Sequence, residues 1–478
     1  MAQYHADLRC IRRQLGCVTK VVPFRSRQVQ DDPLAMQAAQ AEMKQLSVDK
    51  GAFDMGAFQE WDDVARKWPE ARIVRFFLLM AIKHAQDAAK AKWKGRGVAL
   101  GNNERNTFGE RVVEDLMNVV PSSLDSVRLG VGYECLMRAG VTLSLDVPGA
   151  YLLADLTGAP TFIEFERELV PPRFRHMRRP CTRVWKALYG LPRASADWGA
   201  KCRRELLAAG YRHVRDPQED SLYIREMPHG QPAVVIVVYT ADFQITGEEP
   251  CAKAVYWQIA KLFQVAGATE AAAPMQEFLG IERVPRGVGV DGVRHVVLHQ
   301  VKYARFICDD YERRFCAGKR LRGVATPMAT GHDEGEEVPE AIPELKAAAA
   351  ELVGRLLWLA RCTRPDLSQP CNSMARRYRQ WERVDDRALH RLFRYLRAYE
   401  AVGIGFWGAA EDLHKIIVEV WADSSHAGEV CDARSTSGVV AALRGPKSWL
   451  PVGWGSRTQS ATALSTPVSY THLRAHET

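Results

Sequence analysis

Apolar and polar residues alternate with two different periods along this chain, and the two periods divide it into strands and helices. Met36, Ala39, Met43 and Leu46 recur every three to four positions and predict a helix. "ARIVRFFLLMAIKHAQ", starting at Ala71, holds a strand-like apolar run. "KWKGRGVALGNN" (92–103) sets basic residues beside glycines, as in a basic β-hairpin. Residues 107–140 read as helical, with Ser122 or Ser123 as a cap. "VTLSLDV" (141–147) is a short strand that closes on an aspartate. A loop rich in proline and arginine follows, then a helical pattern that stops at Gly210. "VVIVVYTADFQITG" (234–247) reads as strand, tight turn and returning strand. A helix near 250–264, a glycine-turned hairpin at 278–300 and a helix at 301–316 come next. The turn-rich, acidic stretch 320–346 has the character of a linker. Helices are expected at 347–361 and 385–400, the second with Leu389, Leu392, Phe393 and Leu396 on one face and Arg387, Arg391 and Arg394 on another. "KIIVEVWAD", "TSGVVAALRG" and "SWLPVGWGS" then predict three consecutive strands, an antiparallel meander. No internal repeat is visible.

Composition narrows this picture only a little. At 478 residues and 47% hydrophobic, the chain has room for two to four domains with sizeable cores. Its net charge of +8, from 65 basic and 57 acidic residues, permits a polyanionic partner without requiring one. The 11 cysteines stand singly, with no C-x-x-C and no H-E-x-x-H, so a zinc centre has little support and a reducing compartment fits best. The start lacks an apolar signal core and no run reaches membrane-spanning length, so a cytoplasmic or nuclear protein is expected.

Several stretches, in a fixed order, narrow it much further. "SLDVPGAYLLADL" (144–156), "ALYGLPRASADW" (187–198), "VVYTADFQITG" (237–247), "FLGIERV" (278–284), "ATPM" (325–328), "LVGRLLWLARCTRPDL" (352–367) and "WADSSHAGEVCDARSTSGVV" (421–440) resemble blocks of the copia-type LTR retrotransposon polyprotein, across its reverse transcriptase and the start of its ribonuclease H. The resemblance covers roughly residues 40–466. It implies an α+β fold: a right-hand polymerase of fingers, palm and thumb, followed by a truncated ribonuclease H-like α/β domain. The divisions it implies are a poorly ordered lead-in at 1–35, the polymerase at 36–330, a linker at 331–346, connecting helices at 347–410 and the ribonuclease H-like part at 411–466. The last twelve residues, "PVSYTHLRAHET" (467–478), break off in mid-motif and read as the translation of a sequencing-library adapter. They are set aside from the fold.

The resemblance also implies a chemistry. RNA-directed DNA synthesis is phosphoryl transfer, in which two Mg²⁺ ions held by carboxylates stabilise the attacking and leaving oxygens. Asp146 and Asp242 match the family's metal ligands. Lys94 and Arg96 match residues that meet the incoming triphosphate. Tyr239 and Arg193 fall in nucleotide-contacting blocks, and Asp423 matches the first acid of the ribonuclease H cluster. The implied partners are an RNA template, a DNA primer and deoxynucleoside triphosphates.

Departures from the family pattern point the other way. Where the family has a second aspartate at the hairpin tip, this chain has Ala241, and a methyl group cannot ligate Mg²⁺. Thr240 stands for a valine, Leu100 for an expected arginine, and Pro192 and Arg193 for a Lys-Gln pair. The expected reading is therefore a polymerase that is catalytically degenerate in this copy, the alternative being a decayed or domesticated nucleic-acid-binding remnant without catalysis.

Overall fold

The computed structural model describes residues 20–83, 91–112, 122–214, 221–265, 273–329, 343–425 and 434–460. Among these, three sheets organise the chain. The first joins β1 (Lys20–Pro23), β3 (Arg72–Lys83), β6 (Thr161–Phe165), β7 (Pro180–Arg183) and β2 (Gln59–Glu60), with β4 (Lys92–Ala99) paired to β3. Helix α1 (Pro33–Lys44) lies on β4 and α2 (Trp61–Lys67) follows β2. Asp32 starts α1 by accepting hydrogen bonds from the Leu34 and Ala35 amides at 2.8 and 3.3 Å, ahead of a proline in the first turn. Its other oxygen receives the Trp93 indole N–H at 2.8 Å, which ties the helix to β4.

The second sheet has the order β5 (Gly140–Asp146), β11 (Asp242–Glu248), β10 (Val234–Tyr239), β9 (Leu222–Arg225) and β8 (Arg212–His213). Its strands alternate strictly. Val141, Leu143, Leu145, Phe243 and Ile245 enter the large core together with residues of α4 (Ala194–Ala208) and α5 (Glu249–Leu262). The opposite face carries Thr142, Ser144, Gln244 and Thr246, and α3 (Leu124–Cys135) covers it. This polar row is satisfied by the helix: Gln244 donates to the Val127 carbonyl at 3.0 Å, and Thr142 to the Glu134 carboxylate at 2.7 Å.

The third sheet runs β12 (Glu277–Phe278), β13 (Ile281–Val288), β14 (Val293–His299), β15 (Ile404–Ala409), β18 (Trp449–Thr458), β17 (Thr436–Arg444) and β16 (Ile417–Ser424). The expected meander is present as β16–β18, but it belongs to a larger sheet. β14 pairs with β15 over six register positions, from Val293–Ala409 to Leu298–Ile404. The sheet therefore crosses the expected divisions at 331–346 and 410. Helices α6 (Val301–Phe315), α7 (Ala349–Cys362), α8 (Ser368–Arg377) and α9 (Arg383–Ala398) form a separate apolar cluster around Tyr311, Leu356 and Phe393. Ile417, Val418, Val420 and Trp421 on the end strand β16 remain exposed.

Two expectations need correction. Residues 20–35 are not a disordered lead-in: β1 pairs with β3 from Lys20–Ile82 to Pro23–Leu79. The pairing partner lies some sixty residues away, so a local reading could not find it. Residues 107–112 are a turn closed by Asn106 and Glu110 rather than the start of a helix; the helix begins only at Leu124, after Ser123 accepts from the Ser126 amide at 3.1 Å. Residues 1–19, 113–121 and the tail 467–478 lie outside the described residues.

Candidate active site

The hairpin of β10 and β11 turns on two residues, Thr240 and Ala241, with Tyr239 and Asp242 as the last paired positions. On the other side of β11, Asp242 is the register partner of Asp146 at the end of β5. Direct partners in an antiparallel ladder have Cα atoms about 4.5–5.5 Å apart and side chains on one face. Tyr239, Asp242 and Asp146 thus share a face, the one whose inner part lies under α3. Asp146 is exposed and Asp242 half-buried. Burial, and then the negative charge of Asp146, push the Asp242 carboxyl above its ordinary range. A cation between the two would relieve both effects.

Two facing carboxylates suit a hard divalent ion that keeps several waters. Asp146 and Asp242 are the two carboxylates that the ladder brings together here, and Ala241 in the turn beside them carries only a methyl group. Among the described residues, no group of three or more His, Cys, Asp or Glu side chains could hold a metal ion. Asp146 and Asp242 would be the ligands of such an ion, and its chemistry would be charge neutralisation at phosphate oxygens.

Arg96 approaches from the first sheet. Lys94 and Arg96 alternate with Gly95 and Gly97 along β4, so both basic side chains are exposed while the glycines are buried. A side chain at Gly97 would strike Leu46, just past α1, at 2.4 Å and Phe76 of β3 at 2.6 Å, while a Cβ at Gly95 would sit 3.1 Å from the Ala38 carbonyl oxygen of α1, so the two glycines let this end of the helix lie close against the strand. The Arg96 guanidinium stacks over the Tyr189 ring, 5.4 Å from its centroid. Tyr189 in turn meets Tyr151 edge-on at 5.0 Å. Burial raises the Tyr189 phenol, with Arg96 opposing and Asp146 adding to the rise, so Arg96, Tyr189 and Asp146 lie in one electrostatic neighbourhood. Gly190, at φ +90°, holds this corner closed; a Cβ there would sit 2.0 Å from the Ala99 carbonyl oxygen.

The other expected residues are placed differently. Arg193 opens α4 and donates to the Thr157 hydroxyl at 2.8 Å, which occupies part of its guanidinium within the fold. Asp423 is exposed on β16, in another sheet, where it lines a cavity of about 560 Å³ with Gln369, Trp421 and Ser456. Tyr189 and Trp198 lie inside the motif "ALYGLPRASADW", yet spacing alone could not show that Tyr189 meets the basic strand and Trp198 the hairpin.

The family described as "Reverse transcriptase (RNA-dependent DNA polymerase)" matches residues 72–322, just over half of the chain. The chain belongs to this reverse transcriptase family. Its relatives identify the copia type. It is 29% identical over 416 residues to the "Retrovirus-related Pol polyprotein from transposon RE2" of Arabidopsis thaliana, over 85% of this chain and 25% of that protein. It is 28% identical over 415 residues to the corresponding RE1 polyprotein of the same plant, again over 85% of this chain and 25% of that protein. This reverse transcriptase region thus spans about a quarter of the length of those curated relatives. A solved structure, "Structure of the foamy viral protease-reverse transcriptase dRH in complex with ds DNA", overlaps 80% of this chain and 54% of its own at 14% identity and a TM-score of 0.42. No helix among the described residues of the reverse transcriptase is long and apolar enough to cross a membrane.

Proposed function

We propose that this reverse transcriptase region retains the template, primer and nucleotide framework of an RNA-directed DNA polymerase, and that its metal centre is degenerate at Ala241. The observation that carries the reading is the register pair Asp146–Asp242 beside an alanine in the turn. Two carboxylates hold one Mg²⁺ weakly; a pair of ions needs a bridging ligand. Lys94 and Arg96 meet the triphosphate of the incoming deoxynucleotide. Tyr239 and Arg193 border the nucleotide, Arg193 after giving up its bond to Thr157. Asp423 is the first acid of the ribonuclease H-like part. Loss of a direct ligand in such a centre costs on the order of a thousandfold in rate.

The test is primer extension on an RNA template with Mg²⁺ and deoxynucleoside triphosphates, using the unmodified protein, Ala241→Asp, and Ala241→Asp with Asp146→Asn. No extension by the first, measurable extension by the second and none by the third is the expected pattern. Robust synthesis by the unmodified protein overturns the degenerate reading. A second reading, nucleic-acid binding without catalysis, draws on the exposed Lys94 and Arg96 and the net charge of +8. It requires duplex affinity that falls steeply with salt in the absence of any metal.

A further inference from the structure

The tip of the hairpin is held from outside, at both of its turn carbonyls. Thr240 has φ +58°, a conformation in which a β-branched residue is a steric outlier. Ala241 does not share the positive φ. One positive φ at the first turn position is the pattern of a II′ turn, where glycine is favoured. A threonine there will not keep the turn closed by its own preference. Both turn carbonyls are instead bonded to other elements: the Trp198 indole N–H donates to the Thr240 oxygen at 2.6 Å, and the Val147 amide donates to the Ala241 oxygen at 3.0 Å.

Trp198 is itself fixed. It is 2% exposed, and its ring meets Phe263 edge-on at 5.3 Å, while Phe263 packs on Phe243 at 5.6 Å. Phe243 is the neighbour of Asp242 and points to the opposite face. The first turn of α4 is anchored as well, because Asp197 accepts from the Thr157 amide at 3.1 Å and the Thr157 hydroxyl at 2.6 Å. One helical turn therefore holds Thr157, downstream of β5, and the tip that precedes Asp242, the backbone segment that carries one of the two facing carboxylates.

We infer that Trp198 is a positioning residue: its indole N–H holds the Thr240 carbonyl, and so holds Asp242 opposite Asp146 before any ligand arrives. The metal part of this inference rests on the proposed function; the backbone part does not. A merely structural tryptophan would contribute packing and nothing specific to the tip, so the experiment separates the N–H from the ring.

The full chain is compared with Trp198→Phe, with 3-benzothienylalanine at position 198 (the same shape without the N–H), and with Phe263→Leu, which disturbs the ring contact and leaves the N–H in place. Hydrogen exchange is read at the Val147 amide and across Asp242–Ile245, and Mn²⁺ affinity by electron paramagnetic resonance. Both variants lacking the N–H should exchange about tenfold faster at the tip and bind Mn²⁺ about tenfold more weakly. Phe263→Leu should change neither beyond about twofold even if it melts lower. Adding Thr240→Gly to Trp198→Phe removes the strain at φ +58° and should return tip exchange to within about twofold of the parent. Unchanged exchange in the benzothienyl variant overturns the inference, and so does an equal effect from Phe263→Leu. If the parent binds Mn²⁺ no better than Asp146→Asn does, the metal reading fails on its own, and the exchange data still decide the role of Trp198.

Discussion

Asp242 faces Asp146 across one step of a ladder, and the residue before it is an alanine. Restoring a carboxylate at 241 therefore adds a third negative charge to a corner where burial and Asp146 already disfavour ionised Asp242. Ala241→Asp should melt several degrees lower than the parent in chelator and regain that loss in millimolar Mg²⁺, because an ion bound only to the folded state stabilises it by mass action. Differential scanning fluorimetry with and without Mg²⁺ checks this; an equal melting temperature in both media would mean that the third carboxylate does not reach the pair. Gly190→Ala should cost more than about 2 kcal/mol, since the new Cβ meets a backbone carbonyl oxygen and the positive φ is strained for any side chain. Urea unfolding measures it. At this scale the sequence was readable where a residue's place follows from a strand end, as at Asp146 and Asp242, which face each other as expected. It was silent where a role depends on a non-local neighbour. Nothing local to Tyr189 says that Arg96 stacks on it, and nothing local to Arg193 says that the Thr157 hydroxyl accepts its hydrogen bond.

Elements with a complete period of their own were legible. The hairpin 234–247, the strand ending at Asp146 and the helices at 301–316 and 385–400 appear as expected, within a few residues of β10–β11, β5, α6 and α9. Helix α9 is the clearest, with a capping box between Glu382 and Asp385 and its apolar stripe buried. Those that borrow stability from tertiary contacts were missed. Helix α8, "SQPCNSMARR", carries Pro370 and poor helix formers, and forms because Pro370, Cys371 and Met374 are buried. Strands β6 and β7 were lost beside the proline- and arginine-rich loop, since each needs its neighbour to exist. Helix α6 depends on a contact of this non-local kind. Glu282 on β13 accepts from the Lys302 amide in the first turn at 3.3 Å and pairs with His299 at 3.3 Å and the Lys302 ammonium at 3.0 Å. Burial alone would raise its pKa; the hydrogen bonds from His299 and Lys302 outweigh it and hold the carboxyl at about 2. A carboxyl depressed in the folded state adds stability above its unfolded pKa and loses it as pH falls toward the folded value. Glu282→Gln should thus be less stable than the parent at pH 7 by on the order of 2 kcal/mol. The gap should close as pH drops from about 4.5 to about 2. Urea titrations at several pH values test it, and a gap that persists unchanged below pH 3 would contradict the assignment to Glu282.

At the scale of the molecule, α3 decides how far the parts can be separated. Its two glycines lie on opposite sides of the helix, each against a sheet: Gln244 of the second sheet approaches Gly130, and Leu450 of the third approaches Gly132. Arg128, 2% exposed, reaches across the same boundary. It donates to the Val452 carbonyl at 2.6 Å and the Arg361 carbonyl at 2.9 Å, and stacks on the Trp454 ring at 4.1 Å. The C-terminal strands thus complete the packing of the helix that covers the Asp146–Asp242 ladder, although their sequence resembles the start of a second domain. Linear order suggested a division near 410 because strand pairing between β14 and β15, more than a hundred residues apart, leaves no local trace. The consequence is measurable in the full chain. Leu450→Ala removes a fully buried side chain from β18, at a cost of about 2–5 kcal/mol. If the sheets share α3 as one cooperative unit, calorimetry should show a single transition moved downward, with faster amide exchange in α3 and β11 as well as in β18. If the parts were independent, two transitions would be seen, and only the one belonging to the C-terminal strands would move. In that second case α3 would keep its protection without Leu450, and the Asp146–Asp242 ladder would owe nothing to the strands that follow residue 403.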